Sequence, residues 1–243
     1  MKTNYFEILF NESRLNQASG SNLTLTSDFI DESAKSPWFL MLQFAIGCVK
    51  IKDYQSAIGY LDNAISLKSD HSFMYSLRGT IREDGFQDYE GAIIDFKNAL
   101  KYGGDWYSTY HQIGVKFIYL KKYEKALIAL DAAIELKKRY SENSIVESSP
   151  NLIDTVVMRV NFEVMYNNRA SVKYQLSDIN GCWEDITKAV ELNPNYSNPY
   201  IIMGVLFSEA NMIDKSIAAF RTAHIKGNRN AAKSLMDFHG IKI

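Results

Sequence analysis

The chain has 243 residues, of which 47% are hydrophobic and 23% are charged, and its formal net charge is −1. This is the composition of an ordinary globular protein, so a wholly disordered chain is excluded. The near-neutral charge lacks the general basic excess of a nucleic-acid-binding protein, and we expect no nucleic acid as a partner. The two cysteines, Cys48 and Cys182, are too few for a disulfide framework or a cysteine-rich zinc site.

We expect neither a targeting segment nor a membrane span in this sequence. Glu7 interrupts the apolar run of the first ten residues, which a signal peptide would keep unbroken. Trp38 to Val49 is apolar except for Gln43, but it has only 12 residues, whereas a membrane span needs about 20. We therefore expect no membrane span and a cytoplasmic location.

The first predicted helix begins after Ser36 and Pro37, which suit the N-cap and the first helical position. This helix, Trp38 to Val49, is apolar on almost every side and so must be covered on every side. We expect apolar side chains of an N-terminal capping segment, residues 1–37, to fold back on it. The alternative is that this helix forms a dimer interface.

A three-residue pattern recurs five times along the rest of the chain. A small residue is followed by a large apolar residue four positions later and by alanine seven positions later, which places all three on one helical face. The closing alanines are 35, 34, 56 and 34 residues apart, so one gap holds an insertion of 22 residues. The five sets are Ala57-Leu61-Ala64, Ala92-Phe96-Ala99, Ala126-Leu130-Ala133, Cys182-Ile186-Ala189 and Ser216-Phe220-Ala223.

This pattern resembles the tetratricopeptide repeat (TPR) family, whose 34-residue unit has small residues at positions 8 and 20, a large residue at 24 and alanine at 27. The resemblance implies an all-α fold, a right-handed superhelical α-solenoid of helix-turn-helix repeats with N- and C-terminal capping segments. The predicted repeats are 38–71, 72–106, 107–140, 163–196 and 197–230, and repeat two has one extra residue in its turn. Repeats one to three thus span 38–140, an insertion 141–162, repeats four and five 163–230, and a C-terminal capping helix 231–243.

The insertion carries a further helix prediction. Ser149 and Pro150 again suit a helix start, and apolar residues follow at helical spacing. We predict one long helix from about Pro150 to Leu176, which extends the first helix of repeat four and exposes an apolar stripe.

Arginine and aspartate appear together in two repeats. Repeats two and four carry arginine at position 7 and aspartate at position 23, and the other three repeats carry neither. An unpaired charge against a packed face would be costly, so the pattern predicts two bidentate structural pairs. These pairs are Arg78 with Asp95 and Arg169 with Asp185.

The sequence contains no catalytic signature, and we expect no catalytic, cofactor-binding or metal-ligating residues and no cofactor. The TPR resemblance implies a non-enzymatic scaffold or adaptor that binds a protein, as a peptide or partner helix, in a concave groove lined by the first helices. The positions that it assigns to protein binding are Phe73, Ser76, Thr80, His111, Val115, Tyr119, Asn167, Ser171, Tyr174, Ile201 and Val205.

Three further expectations concern the ligand class and two alternative functions. The lysine and asparagine clamp by which chaperone-binding TPRs hold a C-terminal carboxylate is lacking, so the ligand should be neutral or apolar, or should bind on another surface. One alternative function is a self-associating, dimeric module that uses the apolar first helix or the long helix of repeat four. The other is an enzyme with a site in the groove, for which His111 and Tyr119 are the pair to inspect.

Overall fold

The helices of this chain follow one another in pairs. The computed structural model describes residues 36–103, 106–142 and 160–242, and these ranges contain helices but no strand. The helices are α1 (Pro37–Lys50), α2 (Tyr54–Leu67), α3 (Ser72–Phe86), α4 (Tyr89–Lys101), α5 (Trp106–Tyr119), α6 (Tyr123–Glu142), α7 (Phe162–Gln175), α8 (Ile179–Leu192), α9 (Asn198–Glu209), α10 (Ile213–Ile225) and α11 (Ala231–His239). The predicted all-α repeat fold is therefore confirmed.

The described helices belong to two compact units. The first unit contains α1 to α6, and the second contains α7 to α11. Within each unit every odd-numbered helix up to α9 packs closely on the next, which makes the helix pairs of the five predicted repeats.

Each pair is held at close range by a small residue at position 8 and a large residue at position 24. A methyl group on Gly79 would lie 3.2 Å from the ring of Phe96. One on Gly204 would lie 2.5 Å from the ring of Phe220, closer than side-chain atoms approach. The two backbones of a pair therefore come nearer than a larger residue at position 8 would permit.

The turns between paired helices repeat one geometry. Position 15 of every repeat has a positive φ between 53° and 63°, at Lys52, Gln87, Lys121, Ser177 and Asn211. In repeats one, two and four an aspartate follows at the next position and accepts a hydrogen bond from the third N–H of the second helix. This contact caps the helix in the way expected of an N-terminal aspartate.

The predicted long helix of repeat four is wrong. Asn161 has extended backbone (φ −73°, ψ 152°), and α7 begins at Phe162 with an ordinary length of 14 residues. Asparagine just before a helix favours the extended N-cap conformation, so no helix can run through residue 161 into α7. The longer helix is α6 of repeat three, which has 20 residues. Residues 143–159, like residues 1–35 of the predicted N-terminal cap, lie outside the described residues.

Helix α11 packs on repeat five through Leu235 and Ala231, which join a buried cluster with Phe220. Its end is fastened by His239, whose Nε2 lies 2.7 Å from Ser216 Oγ. Ser216 Oγ in turn donates to the carbonyl of Gly204 at 2.7 Å, so His239 Nε2 acts as the donor to Ser216. The chain then leaves the helix through Gly240, whose φ is 65°.

None of the helices in the described ranges is both long enough and apolar enough to cross a bilayer.

We predict opposite effects from two glycine-to-alanine changes. Gly204→Ala should lower the free energy of unfolding by about 1–3 kcal/mol, because the added methyl group overpacks against Phe220. Gly59→Ala is the matched control, since Gly59 lies inside α2 with no atom within 4 Å of an added methyl group. It should raise stability by about 0.5–1 kcal/mol through helix propensity. Urea denaturation measures both, and equal stability of the two variants would contradict the close packing at position 8.

Candidate functional site

Repeat two contains a buried carboxylate surrounded by arginines. Asp95 is 0% exposed and accepts two hydrogen bonds from Arg78, from Nε at 3.0 Å and from Nη2 at 2.6 Å. Arg82 Nη1 lies 3.1 Å from the same carboxylate, and Arg78 also reaches Asp62 of the preceding helix α2. Both oxygens of Asp95 are thus occupied by cationic donors.

Repeat four repeats this arrangement. Asp185 accepts from Arg169 through Nε at 2.8 Å and Nη2 at 2.6 Å, and Lys173 Nζ lies 3.0 Å from the same carboxylate. The structure therefore brings together both arginine–aspartate pairs that the sequence predicts, each with bidentate geometry.

The sequence analysis does not predict the second cation of each network, although the sequence contains a pattern that indicates it. Arg82 and Lys173 occupy position 11 in the same two repeats that carry the pairs. Position 11 of the other repeats is apolar, with Cys48, Phe117 and Phe207. A charge that replaces an apolar residue only where a buried aspartate is present indicates a partner of that aspartate.

These networks have a structural role. Burial alone would lower the pKa of Arg78, but the hydrogen bonds and negative charge of Asp95 outweigh it and the net shift is upward. Arg82 also donates to the carbonyl of Gly91 at 3.1 Å, which ties the first helix to the first turn of the second. With its charges paired inside a helix pair, the network offers no reactive group to a substrate.

The predicted protein-binding residues lie on the first helices of four repeats, two in each unit. Those of the first unit are on α3 and α5, and those of the second unit are on α7 and α9. Seven of the eleven are buried and so are not surface residues in this conformation: Phe73, His111, Val115, Asn167, Ser171, Ile201 and Val205. The remaining four are half-buried: Ser76, Thr80, Tyr119 and Tyr174.

Three of the buried positions are core residues, which corrects the prediction of an accessible lining. Phe73 packs in the hydrophobic cluster of the first helix pair. Ile201 and Val205 pack in the cluster that includes Leu235 of α11. The apolar side chains at these positions pack against a neighbouring helix, and the hydrophobic effect accounts for their burial.

In each unit a polar contact joins two consecutive first helices. Lys116 of α5 forms a buried ion pair with Glu83 of α3. Tyr174 of α7 donates to Glu209 of α9 at 2.6 Å. The pKa of Tyr174 is raised, first by burial and then by this hydrogen bond to a carboxylate, so its hydroxyl stays protonated.

His111 is fully buried on α5, and its pKa is lowered to about 3 by burial and by the positive charges of Lys116 and Lys137. An imidazole with such a pKa is a poor general base near neutral pH. Tyr119 stacks on Tyr89 with ring centroids 4.7 Å apart, an arrangement typical of packing. These observations do not favour the pair His111 and Tyr119 as a catalytic site.

Other polar and potentially reactive groups of the described residues include a buried thiol and a buried amide. Burial raises the pKa of Cys182 to about 12, so this thiol is protonated and is a weak nucleophile. Asn167 Oδ1 is buried without a hydrogen-bond partner among the described residues. Within the ranges that the structure describes, no three His, Cys, Asp or Glu residues form a group that could hold a metal ion.

We predict that Asp95→Ala lowers the free energy of unfolding by about 3 kcal/mol, because it leaves Arg78 and Arg82 partly buried without their carboxylate. Asp62→Ala is the matched control, since the Asp62 side chain is largely solvent-exposed and its ion pair with Arg78 is screened. It should cost about 0.5 kcal/mol. Chemical denaturation distinguishes the two, and a loss for Asp95→Ala as small as that of the control would show that the network is not important for stability.

We also predict that the stability of the protein falls in mild acid because of His111. Its pKa in the folded protein is about 3, below the ordinary histidine pKa of 6.5, so between these pH values the unfolded chain binds a proton that the folded chain does not. The stability from the neutral imidazole is complete above pH 6.5 and is lost as the pH falls towards 3. The slope from this group approaches about 1.4 kcal/mol per pH unit below pH 6.

Unfolding free energies measured between pH 7.5 and 5 check this prediction. His111→Asn should remove that part of the slope, and His224→Asn, at an exposed position, should keep it. An unchanged slope in His111→Asn would contradict the assignment.

Comparison with known proteins gives likenesses in structure. The sequence matches no protein-family model and no curated protein. Residues 41-end of MamA from Desulfovibrio magneticus RS-1 superpose with a TM-score of 0.64 and 15% identity, covering 79% of this chain and 95% of that one. YrrB, described as a TPR protein with an unusual peptide-binding site, gives 0.61 and 13%, covering 96% and 98%. PilF of Pseudomonas aeruginosa gives 0.60 and 16%, covering 82% and 80%. The chain therefore has the fold of the tetratricopeptide repeat proteins.

Proposed function

We propose that this chain is a non-enzymatic scaffold or adaptor that binds a protein on the faces of its first helices. One observation carries the proposal: the four predicted binding positions that stay partly accessible are Ser76 and Thr80, with small hydroxyl side chains on α3, and the two tyrosines Tyr119 and Tyr174. A serine or threonine hydroxyl oxygen can accept from the N–H groups of an extended peptide. Tyrosine also contributes a large apolar ring to a contact.

The charges around these positions favour a neutral or apolar ligand. Lys116 near the first-helix face is paired with Glu83, and Lys173 is paired with Asp185. A cation that already has a carboxylate partner would have to break that pair to bind an acidic tail, at considerable cost when buried. We therefore propose a peptide or helix without an acidic terminus as the ligand class, rather than a chaperone tail.

The fold supports a binding role of this kind. YrrB is described as having a peptide-binding site, and its fold covers almost all of this chain. The hydrogen bond from Thr80 Oγ1 to the carbonyl of Ser76 fixes the direction of one hydroxyl and leaves its oxygen able to accept a further bond. The Thr80 hydroxyl is therefore held in a defined orientation, one helical turn from Ser76 on α3.

An affinity capture from lysate of the host organism with three baits tests this function. The baits are the wild type, a double variant Ser76→Arg/Thr80→Arg on α3, and a control Ile94→Arg/Ile128→Arg. The control residues are exposed on α4 and α6 by 59% and 71%, so the same arginines can be added without disturbing a first helix. Matching thermal unfolding of the three proteins ensures that binding alone is compared.

We expect one protein that is retained by the wild type and the control and reduced at least about tenfold by the α3 variant, equivalent to about 1.4 kcal/mol of binding free energy. The bulky arginines would block the hydroxyl positions, and a neutral ligand bound there would have to desolvate their charges without pairing them. Equal retention by the α3 variant, loss in the control variant alone, or no specific capture by the wild type would each contradict the proposal.

A further inference from the structure

Positions 3, 7 and 10 of each first helix, which we call the stacking face, are the positions by which one repeat packs on the preceding one. Arg78, at position 7 of repeat two, reaches back to Asp62 on α2 of repeat one. In repeats two, three and five, whose preceding repeat lies in the same unit, positions 3 and 10 are buried. These residues are Met74, Ile81, Thr109, Lys116, Pro199 and Leu206.

The stacking face of repeat one is exposed. Leu40 at position 3 is 43% exposed and Phe44 at position 7 is 47% exposed. Gly47 at position 10 is also exposed, and no atom lies within 4 Å of where its Cβ would be. Tyr60 of α2 extends this surface, with its ring 5.3 Å from that of Phe44. A face that is packed in other repeats is here uncharged, apolar and open, which marks an interaction surface.

We infer that a second copy of this chain covers the stacking face of repeat one, with α1 of one copy against α1 of the other. A two-fold axis brings the same surface of both copies together, so residue i of one contacts residue j of the other and the reverse. Phe44 and Gly47 are one helical turn apart on the same face. The axis can therefore place each Phe44 ring over the open Gly47 of the opposite copy.

Large rings over glycines are already the packing rule inside this protein. Phe96 covers Gly79 at a separation that an added methyl group would crowd, and Phe220 covers Gly204 at one that would exclude it. The inferred contact thus continues between copies the small-against-large packing that holds each helix pair. Its centre contains no charge whose desolvation would oppose association.

A closed dimer fits better than an open chain of copies. In an open chain the stacking face of repeat one would meet the other end of the next copy, where α11 is the last described helix. Lys233 and Asp237 are exposed on α11 beside Met236, and burying them against Leu40 and Phe44 would remove two charges from water in return for the apolar contact of one methionine. The two-fold contact buries no such charge.

Sedimentation velocity of the full chain over roughly 1–100 µM, a range suited to a one-helix interface of modest area, tests the inference. The samples are the wild type, Leu40→Glu/Phe44→Glu, and Ile94→Glu/Ile128→Glu as the control with equally exposed apolar residues. Phe44→Arg is a second face variant, because arginine occupies this position in repeats two and four and the helix accommodates it there.

We expect the wild type and the control to rise with concentration from 27.7 kDa towards twice that mass, and both face variants to stay monomeric. A wild type that stays at 27.7 kDa at every concentration overturns the inference and leaves residues 1–35 or a different protein to cover the face. Dimers that persist in both face variants also overturn it, because another surface must then hold the copies together. Neither result depends on the proposed peptide binding by α3.

Discussion

The packing of a small residue at position 8 against a large residue at position 24 is the contact on which the rest of the structure depends. It recurs in all five repeats, as Ala45 with Leu61, Gly79 with Phe96, Gly114 with Leu130, Ala170 with Ile186 and Gly204 with Phe220. Because it fixes the distance between the paired helices, it also fixes where their other faces point. Within a unit, one side of the first helix then meets the preceding repeat, and the other side carries the proposed binding positions.

Two further kinds of contact hold the paired helices together, ion-pair networks and cation–π contacts, and they alternate from one repeat to the next. Repeats two and four close with a buried aspartate between cations, Asp95 and Asp185. Repeats one, three and five instead place a lysine from the end of the second helix over an aromatic ring of the first. These are Lys68 over Trp38 at 5.6 Å, Lys137 over Tyr107 at 4.9 Å and Lys226 over Tyr200 at 5.4 Å. The buried network has fixed bidentate geometry, whereas each of the half-buried cation–π contacts is a single, less directional interaction.

The sequence predicts what depends on residues at fixed spacing. Small and large residues four and seven apart mark the helix pairs, and the joint occurrence of arginine and aspartate marks the ion pairs, because both contacts form within one repeat. The start of α7 was not predicted, since the extended conformation of Asn161 interrupts an apolar periodicity that by itself continues the helix. The burial of His111 and Asn167 was also not predictable, because it depends on contacts between elements that a single-repeat pattern does not contain.

The proposed recognition surface lies on the first helices, and the second helices support them. Hydrogen–deuterium exchange of the full chain, alone and with the protein captured by the wild-type bait, tests this division most directly. We expect a bound partner to slow exchange in α3, α5, α7 or α9 and to leave α4, α6, α8 and α10 unchanged. Slower exchange confined to the second helices would contradict it and would move the binding surface to the opposite side of the repeats.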